Sequence, residues 1–150
     1  MKICQGECEY KENRGRIKET KIHSKGFSMI LSEDHSDATY QIQSVSAQAI
    51  KINNKTYSHS LIISPEKLIP DWHPTSLDTL TDEDLLLFLA FNTDIILLGT
   101  GARSIIPPTK KLACLLEKQF HIECMNTAAA CRTYTLLISE GRKVVAGLII

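Results

Sequence analysis

The residues of this chain best suited to chemistry are a Gly-Thr-Gly turn and one cysteine. Gly99-Thr100-Gly101 directly follows the apolar run "DIILL". A turn of this kind after a buried strand exposes backbone N–H groups, and a following helix N-terminus adds a positive dipole end. An anion is the ligand such a turn would serve. A dinucleotide fingerprint also needs a third glycine that opens the helix, and here Arg103-Ser104 follow instead. The full fingerprint fails, which favours a structural turn where glycine supplies an unusual φ. Cys131 stands one turn into a helix, beside Arg132. Both surroundings lower a thiol's pKa and would make it a nucleophile. Against that reading, Ala128, Ala129 and Ala130 precede it, as expected where a small side chain packs closely. No His lies nearby in sequence to act as base, and His59 or His121 would have to approach through the fold.

Arg132, Glu140 and Arg142 bracket the same helix. They form either an anion- or partner-binding patch beside the glycine turn, to which Arg103 would add charge, or a solvated, self-paired set. Trp72, between Asp71 and His73-Pro74, is a partner anchor or a lid over the core. Cys4 and Cys8 with His23 and His35 have thiol spacing within the zinc range, but the histidines have no paired spacing. No metal and no cofactor are expected. G-x-S-x-G, H-E-x-x-H and the P-loop lysine motif are absent, so Cys131 is the sole catalytic candidate.

The charge balance points away from nucleic acid. Lys plus Arg and Asp plus Glu are 17 each over 150 residues. Residues 1–28 hold seven Lys or Arg against four Glu, a net of +3, so the remainder is at −3. The basic excess belongs to a polar leader without sustained periodicity, read as flexible, and 29–150 read as one α/β domain. A start at Met29 would fit that domain equally well. No apolar run approaches the ~20 residues that span a bilayer, and the beginning lacks a secretory h-region. The expected compartment is the cytoplasm, with its five cysteines reduced.

The elements that must position these groups follow from patterning. "YQIQSVSA", "AIKI" and "KTYSHSLIIS" read as strands, with Asn53-Asn54 as a hairpin turn. Pro65 ends the last of them, and a loop carries Pro70, Trp72 and Pro74. Thr81 caps a helix with Asp82, Glu83 and Asp84 in its first turn, and "LLLFLAF" is apolar enough to be packed on nearly every side. Asp94–Leu98 reads as a central strand, and Pro108 or its neighbour starts a second helix. Ile122–Cys124 is a further strand, and Thr127 caps a third helix ended by Gly141. "KVVAGLII" closes as a strand; were its edge free, it would pair with a second copy. The sum is a mixed sheet with helices packed on it.

Four separated motifs carry a resemblance. "SLIISP" with downstream Trp72, "ILLGTGARSIIPP", "IECMNTAAACRTY" and "SEGRKVVAGLI" stand in the order seen in a family of small proteins. That family includes the mitochondrial NADH dehydrogenase (complex I) assembly factor three. The resemblance covers roughly 39–150 and omits the leader. It implies a three-layer α/β fold around a mixed five-stranded sheet. It marks Gly99, Thr100, Gly101, Thr127, Cys131, Arg132, Tyr134, Glu140, Gly141 and Arg142 as signature positions. It implies an accessory, non-catalytic role with a protein partner, by analogy a subunit of a membrane complex. The expected docking surface joins Gly99–Arg103 to the third helix, with Trp72 as anchor. The alternative is a small-molecule or anion site at the Gly101 amides, or a thiol-dependent enzyme using Cys131.

Overall fold

The computed structural model describes residues 38–150. The leader and the zinc candidates Cys4, Cys8, His23 and His35 lie outside them. The first strands form a three-stranded antiparallel sheet, β1 (Ile42–Val45), β2 (Ile50–Ile52) and β3 (Lys55–Tyr57), in that order. Asn53 and Asn54 both take positive φ, 45° and 68°, as the two-residue turn between β2 and β3 requires.

"KTYSHSLIIS" is not one strand. It breaks at Ser58–Ser60, and β4 (Leu61–Ile63) enters a second sheet. The segment after Pro65 returns as a short strand, β5 (Leu68–Ile69), antiparallel to β4. Helix α1 (Asp82–Leu86) begins with a closed capping box. The Thr81 side chain accepts from the Asp84 N–H, and Asp84 accepts from the Thr81 N–H. A 3-10 turn, Leu87–Ala90, continues it. This unit is packed on one side only: Leu85 and Phe88 are buried, whereas Leu86 and Leu87 are exposed.

Strand β6 (Ile95–Thr100) is followed by a 3-10 turn at Thr109–Leu112 and by α2 (Ala113–Leu116). Then come β7 (Ile122–Met125), α3 (Thr127–Ser139) and β8 (Val144–Ile149). The second sheet has the order β5-β4-β8-β6-β7, with β8 antiparallel to β4 and parallel to β6. Strand β8 is thus central and buried along its whole length. The free edge required for pairing with a second copy does not exist there.

Strand alternation divides the core in two. Leu61, Ile63, Leu97, Ala146 and Leu148 face α3 and the three-stranded sheet. Ile62, Ile96, Leu98 and Val145 face α1, α2 and the Trp72 loop. The result is three layers about one mixed five-stranded sheet, the fold class expected from the sequence.

Trp72 belongs to the second core. Only 4% of it is exposed, and its ring meets Phe88 edge-on at 5.7 Å. It is a lid on the sheet; as an anchor for a partner it is out of reach.

Candidate functional site

Adjacent parallel strands β6 and β7 release the chain to opposite faces of the sheet. After Gly101 it runs toward α2 on one face, and after Asn126 it enters α3 on the other. Where connections diverge in this way, open α/β sheets hold ligands in a crevice at the strands' carboxyl ends. Here two hydroxyls close it. The Thr100 hydroxyl lies 2.7 Å from the Arg103 carbonyl and 3.0 Å from the Met125 carbonyl, its one proton shared between them, and accepts from the Ile105 N–H at 3.2 Å. Thr127 Oγ1 donates to the Ile149 carbonyl at 2.5 Å and accepts from the Gly101 N–H at 2.9 Å. The Thr127 N–H in turn donates to the Gly101 carbonyl at 2.9 Å.

These bonds revise the reading of the Gly-Thr-Gly segment. Gly99 and Thr100 are the last residues of β6, and only Gly101, with φ +92°, turns. Its N–H points inward to Thr127, so an anion cannot use it. Gly99 serves close approach: a Cβ there would lie 3.0 Å from Thr127 Cα and 2.9 Å from its Oγ1. The bend after Gly101 is nevertheless open. Ala102, Arg103 and Ser104 are exposed, and their N–H groups find no acceptor among the described residues.

Thr127 is not the cap of α3. Asn126 is, its side chain accepting from the Ala129 N–H at 2.8 Å, and Thr127 is the first helical residue. At the other end Gly141 takes φ +70°. Its N–H donates to Ile138 and the Arg142 N–H to Leu137, which satisfies the last carbonyls. Glu140 and Arg142 therefore flank a helix stop. Because α3 has 13 residues, at ~1.5 Å each it carries them about 20 Å from the Gly101 bend. They do not share a patch with it. Tyr134 is likewise removed from any surface role, being fully buried with its hydroxyl donating to the Tyr40 carbonyl.

The thiol fares no better as a nucleophile. Cys131 is 2% exposed, and burial pushes its pKa up to about 12, against the smaller opposing pull of Arg132. Burial also raises Cys124, to about 11, and raises Cys114. No described cysteine has a stabilised thiolate. At about pH 8, Cys131 in the native protein should resist iodoacetamide and react only after denaturation. Mass-resolved labelling checks this; rapid native alkylation of Cys131 would contradict it. The same burial has a sign for stability. Raised thiol and phenol pKa values at Cys131 and Tyr134 mean that the folded state holds protons the unfolded chain releases. Their contribution is complete below about pH 9 and is lost as pH climbs toward 12.

What the arrangement leaves accessible is a hollow of about 300 Å³ beside the closed crevice. Val45, Ala47, Ala102, Ala128, Ile149 and Ile150 give it mainly apolar walls. A second hollow, about 290 Å³, lies between β1 and α3, bounded by Ile42–Val45 on one side and Cys131, Arg132 and Thr135 on the other. Val45 belongs to both, so they adjoin. Arg132 lines the second hollow, and Arg103 follows Ala102 of the first in the chain; both are exposed and neither is in an ion pair among the described residues. Of the residues expected from the sequence, Gly101 and Ala102's neighbour Arg103 belong to the bend at the first hollow, and Arg132 lines the second. The walls come from four separate segments, within 42–47, 101–102, 127–135 and 149–150, and carry no local signal beyond the small residues of "TAAAC". No group of three or more His, Cys, Asp or Glu among the described residues is placed to hold a metal.

A three-layer α/β domain of this form is known from solution NMR of a Xanthomonas campestris protein. The two share 38% identity and a TM-score of 0.67 over 81% of this chain and 92% of that one. The family described as a protein of unknown function (DUF498/DUF598) matches residues 42–149, and the chain belongs to it. Two relatives carry more telling names. The 13 kDa major membrane protein of Francisella tularensis is 31% identical over 94 residues, covering 62% of this chain and 76% of the relative. The NADH dehydrogenase (ubiquinone) 1 alpha subcomplex assembly factor 3 of Danio rerio is 29% identical over 124 residues, covering 81% and 71%. Among the described residues, no helix is long and apolar enough to cross a membrane.

Proposed function

We propose that this protein is a non-catalytic accessory factor that holds a protein partner during assembly of a larger complex. The docking surface is the groove beside the Gly101 bend. One observation carries the reading: the crevice where this class of sheet would hold a small ligand is closed by Thr100 and Thr127, while an apolar hollow stands open next to it. Burial of apolar surface supplies the affinity, and Arg103 and Arg132 supply steering and register. The relative named as an assembly factor supports a role of this kind for the family.

Ala102 is exposed at the rim, so a large side chain there fills the hollow without entering the core. Ala102→Trp is expected to abolish partner capture from native lysate while leaving circular dichroism and melting unchanged. Undiminished capture by the folded variant would remove this surface from consideration. Arg142→Glu, about 20 Å away along α3, should leave capture intact.

A further inference from the structure

Among the described residues, strand β1 has one neighbour, β2, so its outer edge is unpaired in their sheet order. Edges of this kind are normally protected by charge, proline or a covering element. The sequence of β1, IQSV, contains neither a charge nor a proline, and its one irregularity is a register shift between Ile42 and Ser44. The hollow of about 290 Å³ is bounded by all four of its residues and faces α3 across a gap. The apolar hollow at Ala128 continues it through Val45.

Charge selects the occupant further. The groove walls contain no Asp or Glu, and none occurs in the segments 38–65, 95–116, 124–139 or 143–150 that build it. Arg132 lines one hollow, and the exposed Arg103 is the next residue after Ala102 of the other, both unpaired among the described residues. Spacing agrees with an extended ligand. Ala128 and Arg132 are one helical turn apart, about 6 Å along the axis. Side chains at i and i+2 on one face of a strand are about 7 Å apart.

Resting on the docking reading above, we propose that the partner contributes an extended segment that adds to the outer edge of β1. One large apolar side chain fills the hollow at Ala102 and Ala128, and a carboxylate two residues away meets Arg132. Main-chain hydrogen bonds to β1 give affinity, and the apolar-x-acidic spacing gives specificity.

The probe is a set of fluorescein-labelled decapeptides, Ser/Thr-rich, with a central Phe and Asp, Asn or Lys two residues away. Binding to the full chain is read by anisotropy. The Asp peptide is expected to bind about fivefold more tightly than the Asn peptide, with Lys weakest. Arg132→Glu should invert that order. N-methylation of every second backbone amide should abolish binding in one phase and spare it in the other. Equal affinity for the three peptides, indifference to N-methylation in both phases, or no binding by any peptide overturns strand addition. The docking surface is judged separately by Ala102→Trp. If that variant blocks peptides that show no charge or amide preference, the surface stands and strand addition falls. If peptides bind Ala102→Trp undiminished, both fall.

Discussion

Gly147→Ala is expected to be the most damaging single-methyl change in the molecule, lowering stability by about 3 kcal/mol and the melting temperature by roughly 10 °C. A Cβ at this position would stand 2.5 Å from Phe88 Cζ and 2.9 Å from Trp72 Cζ3. Both rings are buried and braced edge-to-face, so neither can swing aside cheaply. The position lies in the middle of β8, held on one side by β4 and on the other by β6, so the backbone cannot retreat either. Urea unfolding checks the value. Gly101→Ala provides the comparison: its φ of +92° disfavours any side chain, yet nothing stands within 4 Å, and about 1 kcal/mol is expected. A Phe88→Leu background should relieve part of the Gly147→Ala penalty, giving clear non-additivity. Equal costs for the two glycine variants would show that close packing over Gly147 is not what limits it.

Thr127→Val is expected to cost about 2–4 kcal/mol although it scarcely changes volume. The hydroxyl is the shared partner of two backbone groups in different strands or turns, the Gly101 N–H and the Ile149 carbonyl. Valine leaves both unsatisfied at a position only 7% exposed. Thr127→Ser keeps the hydroxyl and should recover most of the loss. Hydrogen exchange at the Gly101 amide is the sharper readout, because it should quicken strongly in Val and little in Ser. Unchanged protection in the valine variant would mean that the crevice is not closed by this residue.

Thr127 also illustrates what local sequence reveals. Threonine before a run of alanines looks like a cap, and Asn126 beside it is an equally good one. The choice was made by partners more than twenty residues away, which took the threonine hydroxyl for the sheet. Where the deciding contacts are near in sequence, the pattern is readable: the Asn53-Asn54 turn, the Thr81 cap with its acidic first turn and the Gly141 stop form where the residues place them, and the "DIILL" strand forms too, though it runs on through Gly99 and Thr100. Short strands with mixed burial were not readable. Nothing in "KTYSHSLIIS" announces that Tyr57 and Leu61 serve different sheets, and two-residue β5 is too short for alternation to show. Of the candidate site, the charged rim and the bend were visible as residue types. Tyr134 and Trp72 were not separable from surface residues, because polar-tipped aromatics are chosen for both settings. Arg142 follows the same helix as Arg132, but the 13 residues of α3 carry it to the end away from the bend.

The central place of β8 bears on how the molecule comes together. Strands β5 and β4 form one pair and β6 and β7 another, and β8 alone is hydrogen-bonded to both. Until Val144–Ile149 docks, the two pairs have no common backbone ladder. The contacts that unite them reach back to residues 61–63, a long loop to close. Assembly of the sheet is therefore gated by its keystone strand, and refolding should be slow relative to a helical bundle of equal size. A nick in the exposed turn before Lys143 would loosen the halves more than any cut between β1 and β3.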